Sequence, residues 1–235
     1  YLINQINPDE EFFIEFGVEN YIESNTRYLL QNNNWSGLVI DGSKANIDFI
    51  KNQSFYWRHD LRAIDSFVTV ENINSLLSGV PKKIGLLHID IDGNDYWIWK
   101  AINNTVADIV IMEYNSVFGC ERAITVPYDP EFVREKKHYS YLYAGASLLA
   151  LCDLADEKGY HLIGSNSAGN NAYYIRKEKI KNLKPLTAKE GYVESKFRES
   201  RDKNGNLNFL RGQDRLTEIQ GMNIVNTRTN KIEIL

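Results

Sequence analysis

The chain has 235 residues, a length that suits one α/β domain with an appended segment. Its 43% hydrophobic and 12% aromatic residues are enough to form a core, which excludes disordered and collagen-like classes. The net charge of -4 argues against a surface that binds nucleic acid or anionic lipid by bulk attraction. No apolar run approaches the ~20 residues of a membrane span. The 2 cysteines lack a CxxC spacing and favour a reducing compartment, so we expect a soluble, cytoplasmic protein.

Short apolar runs alternate with helical segments over the first half of the chain. Strands are predicted at residues 12–16, 37–40, 64–70, 84–89 and 107–112. Helical patterns follow the first four of these strands, with starts near residues 25, 45, 71 and 96. This order predicts an α/β fold with a parallel sheet covered on both faces, in which ligands bind at the carboxyl ends of the strands.

The second half of the chain begins with a long irregular stretch, residues 116–143, which we expect to be a substrate loop or lid. A helix at residues 146–158 and strands at 160–164 and 171–175 would complete a seven-stranded, mostly parallel sheet. From residue 177 the composition turns charged. We therefore expect a domain over residues 1–176 and a C-terminal extension over 177–235 that packs on or beside it.

Gly17 and Asp41 follow the first two predicted strands. Glycine has no Cβ and lets the backbone approach a ligand closely. An acid after the second strand is placed to bind a ribose diol, as in dinucleotide sites. Taken singly, a turn glycine and a helix-capping aspartate explain the two residues equally well. Taken together, in consecutive strand–helix units, they indicate a nucleoside-type ligand.

Four segments resemble a known family: FIEFGVE at residues 13–19, GLVIDG at 37–42, LHIDIDGND at 87–95 and IMEYN at 111–115. In this order, over about residues 10–176, they are similar to the FkbM-like branch of class I S-adenosylmethionine (SAM)-dependent methyltransferases. Proteins of this branch tailor surface polysaccharides and natural products. The resemblance implies a Rossmann-like fold, SAM as the cofactor, and methyl transfer to a polar acceptor. The implied acceptor is a hydroxyl of a sugar or of a capsular polysaccharide precursor, with oxygen favoured over nitrogen.

The resemblance also implies which residues bind the cofactor. Glu15 and Gly17 would lie beside the methionine moiety, Asn25 and Thr26 near its carboxylate, Asp41 on the ribose and Asp90 near the amine. The full predicted set is Glu15, Gly17, Glu19, Asn25, Thr26, Asp41, Gly42, Ser43 and Asp90. The family's loop usually reads acid-x-Gly-x-Gly-x-Gly, and here Glu19 and Tyr21 stand at the later glycine positions. A Rossmann-like nucleotide site of another kind therefore stays open.

An acidic cluster around Asp90 and Asp92 predicts a metal site. In an extended strand these two acids share one face, and Glu113 and Asn115 show the same spacing on the next strand. Oxygen ligands from adjacent strand ends suit Mg²⁺ or Mn²⁺. Catechol-type O-methyltransferases, which this arrangement resembles, also place ligands after these two strands. Asp92, Glu113 and Asn115 are the predicted ligands; the alternative is that Asp95 caps the following helix and the other acids face solvent.

Candidates for catalysis and acceptor binding lie around the long loop. His138 is the predicted base, because histidine titrates near pH 6.5; Asp92 is the alternative base, and a surface role explains His138 equally well. His88 is expected to be a packed core residue. Aromatic faces and positive charge would suit a sugar or a phosphorylated acceptor. The predicted acceptor-binding residues are Tyr114, Tyr128, Arg134 and Tyr139.

Other functions stay open on the sequence alone. A metal-dependent glycosyltransferase would use Asp90 and Asp92, but it leaves Gly17 and Asp41 unexplained. A nicotinamide-dependent dehydrogenase would use Gly17 and Asp41, although the glycine-poor loop suits a pyrophosphate badly. A non-catalytic member of the fold that serves as a binding partner is a further alternative, because fold alone does not determine function.

Overall fold

The computed structural model describes residues 1–196 and 199–235. The strands are β1 (Phe12–Phe16), β2 (Ser36–Asp41), β3 (Leu61–Asp65), β4 (Lys83–Ile89), β5 (Val106–Glu113), β6 (Ile124–Thr125), β7 (Tyr160–Ser165), β8 (Asn171–Arg176), β9 (Asn223–Asn226) and β10 (Lys231–Ile234). The helices are α1 (Leu2–Ile6), α2 (Arg27–Asn33), α3 (Lys44–Lys51), α4 (Ser54–Arg58), α5 (Ile73–Leu76), α6 (Asp95–Ala101), α7 (Arg134–Lys137), α8 (Leu148–Glu157), α9 (Ala188–Gly191) and α10 (Gly212–Glu218). Short 3-10 helices cover Ser116–Phe118 and Lys177–Lys179.

The chain divides into two compact units. The first comprises Tyr1–Ile91 and Ile98–Ile111, and the second comprises Asp92–Trp97 and Met112–Leu235. The boundary expected near residue 176 stays a proposal.

The first unit is built on parallel strands. β1 pairs with β2, in the register Phe12 with Ser36, and also with β4, in the register Phe13 with Leu86. β2 in turn pairs in parallel with β3. Nearly every residue of β1, β2 and β4 is buried, as expected for strands covered on both faces. The parallel pairing therefore brings the carboxyl ends of β1, β2 and β4 to one edge of the sheet.

The second unit contains the antiparallel hairpin of β7 and β8 and a small sheet in the order β10-β9-β6. A buried apolar cluster joins the long loop after β5 to the C-terminal segment. Its members are Phe118, Ile124, Val126, Phe132, Leu142, Tyr143, Ala144, Ile219 and Ile224. The C-terminal segment is therefore part of a core, because Ile219 and Ile224 are fully buried there.

The main sheet has 7 strands in the order β3-β2-β1-β4-β5-β8-β7. Parallel strands in the first unit and the antiparallel β7–β8 hairpin make it the mostly parallel sheet of the Rossmann-like class I methyltransferase fold. This confirms the predicted fold class. Within residues 1–196 and 199–235, none of the helices combines the length and apolar character needed to cross a membrane.

The third strand differs from its predicted range. The sequence pattern indicated residues 64–70, but β3 ends at Asp65. Side-chain hydrogen bonds end the extended segment, because Asn72 Oδ1 accepts from Thr69 N at 2.9 Å and Thr69 Oγ1 accepts from Asn72 N at 3.3 Å. This local turn leads into α5 and competes with strand pairing.

Candidate active site

Glu15 is the centre of a buried hydrogen-bond network in the first unit. Its side chain lies in β1 and is 2% exposed. The carboxylate accepts from Ser24 Oγ at 2.6 Å, from the backbone N–H groups of Asn25 at 3.0 Å and Thr26 at 3.2 Å, and from Thr26 Oγ1. His88 Nδ1, on the neighbouring strand β4, donates to it at 2.8 Å. Both carboxylate oxygens are thus occupied, so Glu15 holds the segment at residues 24–26 in place.

The donors around Glu15 also keep it charged. Burial raises the pKa of a carboxyl, but the hydrogen bond and positive charge of His88, together with the Ser24 and Thr26 hydroxyls, outweigh burial and lower the pKa of Glu15. His88 is buried, as expected, but it forms a hydrogen bond with Glu15 and is more than an apolar packing residue. Asn25 Nδ2 lies 3.2 Å from His88 Nε2, so the imidazole links Glu15 to an exposed side chain.

The loop after β1 contains left-handed backbone at alternate positions. Gly17 has φ +69°, and a Cβ there would lie 1.6 Å from the carbonyl oxygen of Asp90, so only glycine fits. Glu19 and Tyr21 have φ 46° and 63°. These are the positions at which the resembled family has glycines. The loop therefore keeps a conformation typical of glycine at two positions that lack glycine.

Tyr21 is held in this loop by burial and hydrogen bonding. The side chain is 0% exposed, and its hydroxyl lies 2.9 Å from Thr26 Oγ1. Arg27 Nη1 donates to the Tyr21 carbonyl at 3.2 Å. Burial raises the pKa of the Tyr21 hydroxyl well above its usual value, which keeps it a neutral hydrogen-bonding group.

Asp41 ends β2 and binds the same loop. Its Oδ2 accepts from the Glu19 N–H at 2.8 Å, and its Oδ1 accepts from the Ser43 N–H at 2.8 Å and from Asn46 Nδ2 at 3.0 Å. A carboxylate offers about four acceptor positions, so one remains on Oδ2. Ser43 caps α3 by accepting from Asn46 N, and Gly42 lies against the ring of Phe67.

Asp90 and Asp92 do not form the shared strand face on which the metal prediction depended. β4 ends at Ile89, before either acid, and Asp92 turns into the left-handed region at φ 57°. The Asp92 carboxylate instead forms an ion pair with Arg134 Nη1 at 2.6 Å. The two acids therefore lie outside the regular alternation of an extended strand.

The side chain of Asn115 forms hydrogen bonds with the backbone of its own unit. Its Nδ2 donates to the carbonyls of Leu142 at 2.8 Å and Ala144 at 2.9 Å, and its Oδ1 accepts from Val117 N at 3.0 Å. Asn115 thus caps a 3-10 helix and anchors the long loop. Together with the Asp92–Arg134 pair, this leaves the predicted Mg²⁺ or Mn²⁺ site over Asp92, Glu113 and Asn115 unsupported.

The predicted acceptor-binding residues have different surroundings. Arg134 donates from Nε to the Tyr141 carbonyl at 2.6 Å; burial lowers its pKa, but the carboxylates of Glu113 and Asp92 outweigh burial and raise it. Tyr114 is buried and its hydroxyl donates to the Val193 carbonyl at 2.6 Å, so its ring is held in a fixed position.

The other predicted residues lie along the long loop. Tyr139 donates to Glu218 Oε1 at 2.5 Å, and Tyr128 packs 6.3 Å from the Trp97 ring. His138 is half-buried, with Nδ1 2.7 Å from Ser140 Oγ. Burial lowers the pKa of His138, so the imidazole is neutral at neutral pH and able to take up a proton.

A polar cavity of about 240 Å³ lies in the second unit, and we call it the acceptor cavity because Tyr114 and Arg134, two of the predicted acceptor-binding residues, line it. Of the predicted residues, Glu113, Tyr114, Asn115 and Arg134 line it. His138, Asp92, Tyr128 and Tyr139 are not among its lining residues. Three lining residues of the C-terminal segment were not predicted from the sequence: Ser195, Glu199 and Arg215. They belong to no recognisable motif, so the sequence carried no signal for them.

No family model and no curated protein matches the chain. Similar solved structures include the O-methyltransferase from Bacillus cereus in complex with SAH, at 10% identity over 74% of this chain and 78% of that one, with a TM-score of 0.49. The N-terminal domain of EvdMO1 with SAH bound is similar at 10% identity over 74% and 75%, with a TM-score of 0.45. PKMT2 from Rickettsia typhi in complex with AdoHcy is similar at 11% identity over 75% and 52%, with a TM-score of 0.47. The chain thus spans about half of PKMT2, and none of these identities is high enough to transfer the role of a residue.

Proposed function

We propose that the chain is a SAM-dependent methyltransferase. The observation that carries this proposal is the loop between β1 and α2, which is fixed at one end by Glu15 and at the other by Asp41. Gly17 lets the loop backbone pass close to the Asp90 carbonyl, an approach that any Cβ would block. The free acceptor position on Asp41 Oδ2 suits a ribose hydroxyl. The class I methyltransferase fold places this loop at the carboxyl ends of parallel strands, where ligands of such sheets bind.

The roles proposed for the cofactor residues follow from their contacts. Asp41 binds the ribose, with Gly42 and Ser43 beside it, and the backbone of Gly17 and Glu19 faces the ligand. Glu15 is a positioning residue, because its oxygens are already occupied. Asn25 and Thr26 are proposed to lie near the methionine carboxylate, and Asp90 near the amine.

The proposed acceptor is a hydroxyl of a sugar or of a polysaccharide precursor, as in the FkbM-like branch. SAM supplies an activated methyl group on a sulfonium. The protein's residues align the acceptor and remove its proton. His138 is the proposed base because it is neutral and half-buried, and Asp92 is the alternative, although neither residue lines the acceptor cavity. Arg134 is proposed to bind the acceptor, and Tyr114 is proposed to form a wall of its binding site. Tyr128 and Tyr139, on the long loop, are proposed to bind the acceptor as well.

Calorimetric titration of the purified chain with SAM, SAH, UDP-glucose and NAD tests the proposal. We expect micromolar binding of SAM and SAH and none of the other two. Asp41→Ala should weaken SAH binding by about tenfold or more, because a hydrogen bond to a charged group is lost. Asp48→Asn, at an exposed position of α3, is the matched control and should bind as the wild type does. Binding of UDP-glucose without SAM or SAH would replace the proposal with a glycosyltransferase.

A further inference from the structure

Arg215 is a buried cation that forms no hydrogen bond or ion pair with the described residues. It lies in α10, is 8% exposed, and its Nε is buried with no hydrogen-bond acceptor. Among the described residues the structure gives the guanidinium no ion pair. Burial lowers the pKa of Arg215, the carboxylate of Glu194 opposes this, and the charge of Arg134 lowers it further. A buried charge without a counter-charge destabilises a protein. An anion bound beside Arg215 would remove this cost.

Arg215 lies where two cavities of the second unit adjoin. It lines the acceptor cavity and also a second, more open cavity of about 470 Å³, which we call the basic cavity. Ser195 lines both as well. Among the described residues, the basic cavity adds the cations Lys196 and Arg211, with Glu194 as its one acid. Its charge is therefore positive, whereas the charge of Arg134 in the acceptor cavity is already offset by Asp92.

The acceptor cavity suits hydroxyl groups. Ser116, Asn170 and Glu199 line it with hydrogen-bonding side chains, and its volume of about 240 Å³ is below the range of drug-sized pockets, as expected for a single sugar ring. A ligand that fills both cavities would place hydroxyls in the first and an anionic group beside Arg215 in the second.

We infer that the two cavities form one site for an anionic saccharide, whose phosphate or carboxylate is bound by Arg215 with help from Lys196 and Arg211. Phosphate and carboxylate each present a pair of oxygens that a guanidinium binds in a bidentate way. The inference rests on the proposed function only in naming this ligand the methyl acceptor. The anion site itself depends on residues of the second unit alone.

Calorimetric titration of the full chain with D-glucose 6-phosphate, D-glucuronate and D-glucose, each with and without SAH, tests the inference. We expect at least one charged sugar to bind about tenfold or more tightly than D-glucose, since the charge-assisted contact is absent from the neutral sugar. The better of the two charged sugars then tells phosphate from carboxylate. Equal affinity for all three sugars, or no binding of any, would overturn the inference.

Three variants locate the binding energy. Arg215→Met should lose about tenfold or more in affinity for the charged sugar, and Arg215→Lys should regain part of it. Arg228→Met, at an exposed arginine that pairs with Asp153, is the matched control and should bind as the wild type does. A folded Arg215→Met variant that binds the charged sugar as the wild type does would contradict the inference.

Measurements of stability and of SAH binding distinguish a failure of the anion-site inference from a folding defect and from a failure of the methyltransferase proposal. Because Arg215 forms no ion pair with the described residues, Arg215→Met should leave the unfolding temperature unchanged or raise it, whereas a purely structural arginine would lower it. If Arg215→Met does not fold, the exposed double variant Lys196→Gln with Arg211→Gln should still weaken the charged sugar several-fold. Retained SAH binding in these variants confines the defect to the anion site. Binding of charged sugars by a wild type that binds no SAH would keep the anion site and remove the methyltransferase proposal.

Discussion

Glu15 shows how a buried acid can hold a loop in place through its hydrogen bonds. Every neighbour of its carboxylate is a donor: hydroxyls of Ser24 and Thr26, backbone N–H groups of residues 25 and 26, and the imidazole of His88. An amide at this position would direct its own N–H groups at some of these donors. The charge of Glu15 is therefore a structural requirement for the loop that we propose to bind the cofactor.

Glu15→Gln should lower the free energy of unfolding by about 3 kcal/mol, because buried donors lose a charged acceptor. Urea denaturation at neutral pH measures this. Glu11→Gln, an exposed substitution of the same type one residue before β1, is the control and should change the free energy by less than about 0.5 kcal/mol. SAH affinity should fall in parallel with stability in Glu15→Gln, since residues 24–26 lose their anchor.

The same residue predicts a dependence of stability on pH. The pKa of Glu15 is below its ordinary value of 4.5 in the folded protein. Its contribution is therefore complete above about pH 4.5 and is lost as the pH falls through the lower, folded pKa. Urea denaturation between neutral and acidic pH should show a shallower acid slope for Glu15→Gln than for the wild type. Equal slopes would mean that the pKa of Glu15 is the same in the folded and the unfolded protein.

At the scale of elements, the loop after β1 has a left-handed backbone, typical of glycine, at two positions occupied by other residue types. Glu19 has φ 46° but an exposed side chain, and its N–H still donates to Asp41. Tyr21 has φ 63° and contributes a buried ring that packs 5.7 Å from Phe55. Burial offsets the backbone strain at Tyr21, whereas the described contacts provide no such compensation for the side chain of Glu19.

Glu19→Gly therefore removes strain at no cost in contacts. We expect it to be about 1 kcal/mol more stable than Glu23→Gly, an exposed glutamate of the same loop whose φ is not left-handed. Both variants carry the same entropic cost of glycine in the unfolded chain, so the difference isolates the backbone. Chemical denaturation of the two variants side by side measures it. A Glu19→Gly variant that is less stable than Glu23→Gly would show that the left-handed conformation carries no strain.

Sequence periodicity predicted most strands of the main sheet because parallel strands buried on both faces are continuous apolar runs. β1 was predicted at its observed bounds, and β4 and β5 to within one residue at each end. Asp90 and Asp92 do not share the predicted strand face, because β4 ends at Ile89, before both residues. The network of His88 was also missed, because a histidine within an apolar run resembles a packed core residue until its neighbour in β1 is known.

For the molecule as a whole, the C-terminal segment is more than an appendage. The sequence marked it only as a charged extension, since its apolar residues are scattered among polar ones. In the second unit, however, Ile219 and Ile224 complete the buried cluster formed by the long loop. Tyr139 and Tyr143 of that loop also donate to Glu218 and to the Asn223 carbonyl. Such partners are distant in sequence, so no local pattern could reveal them.

Two isoleucines on the C-terminal hairpin test this integration. Ile224 in β9 is 0% exposed, whereas Ile232 in β10 is 66% exposed. Because a buried isoleucine leaves a cavity when truncated, Ile224→Ala should lower the free energy of unfolding by about 2–5 kcal/mol. Ile232→Ala removes the same atoms from a solvated face and should cost less than about 1 kcal/mol. If the hairpin were a detached extension, the two variants would have equal, small effects, and limited proteolysis would remove it without changing the unfolding of the rest. We expect instead that Ile224→Ala, and not Ile232→Ala, makes the long loop susceptible to protease, because that loop loses the core against which it packs.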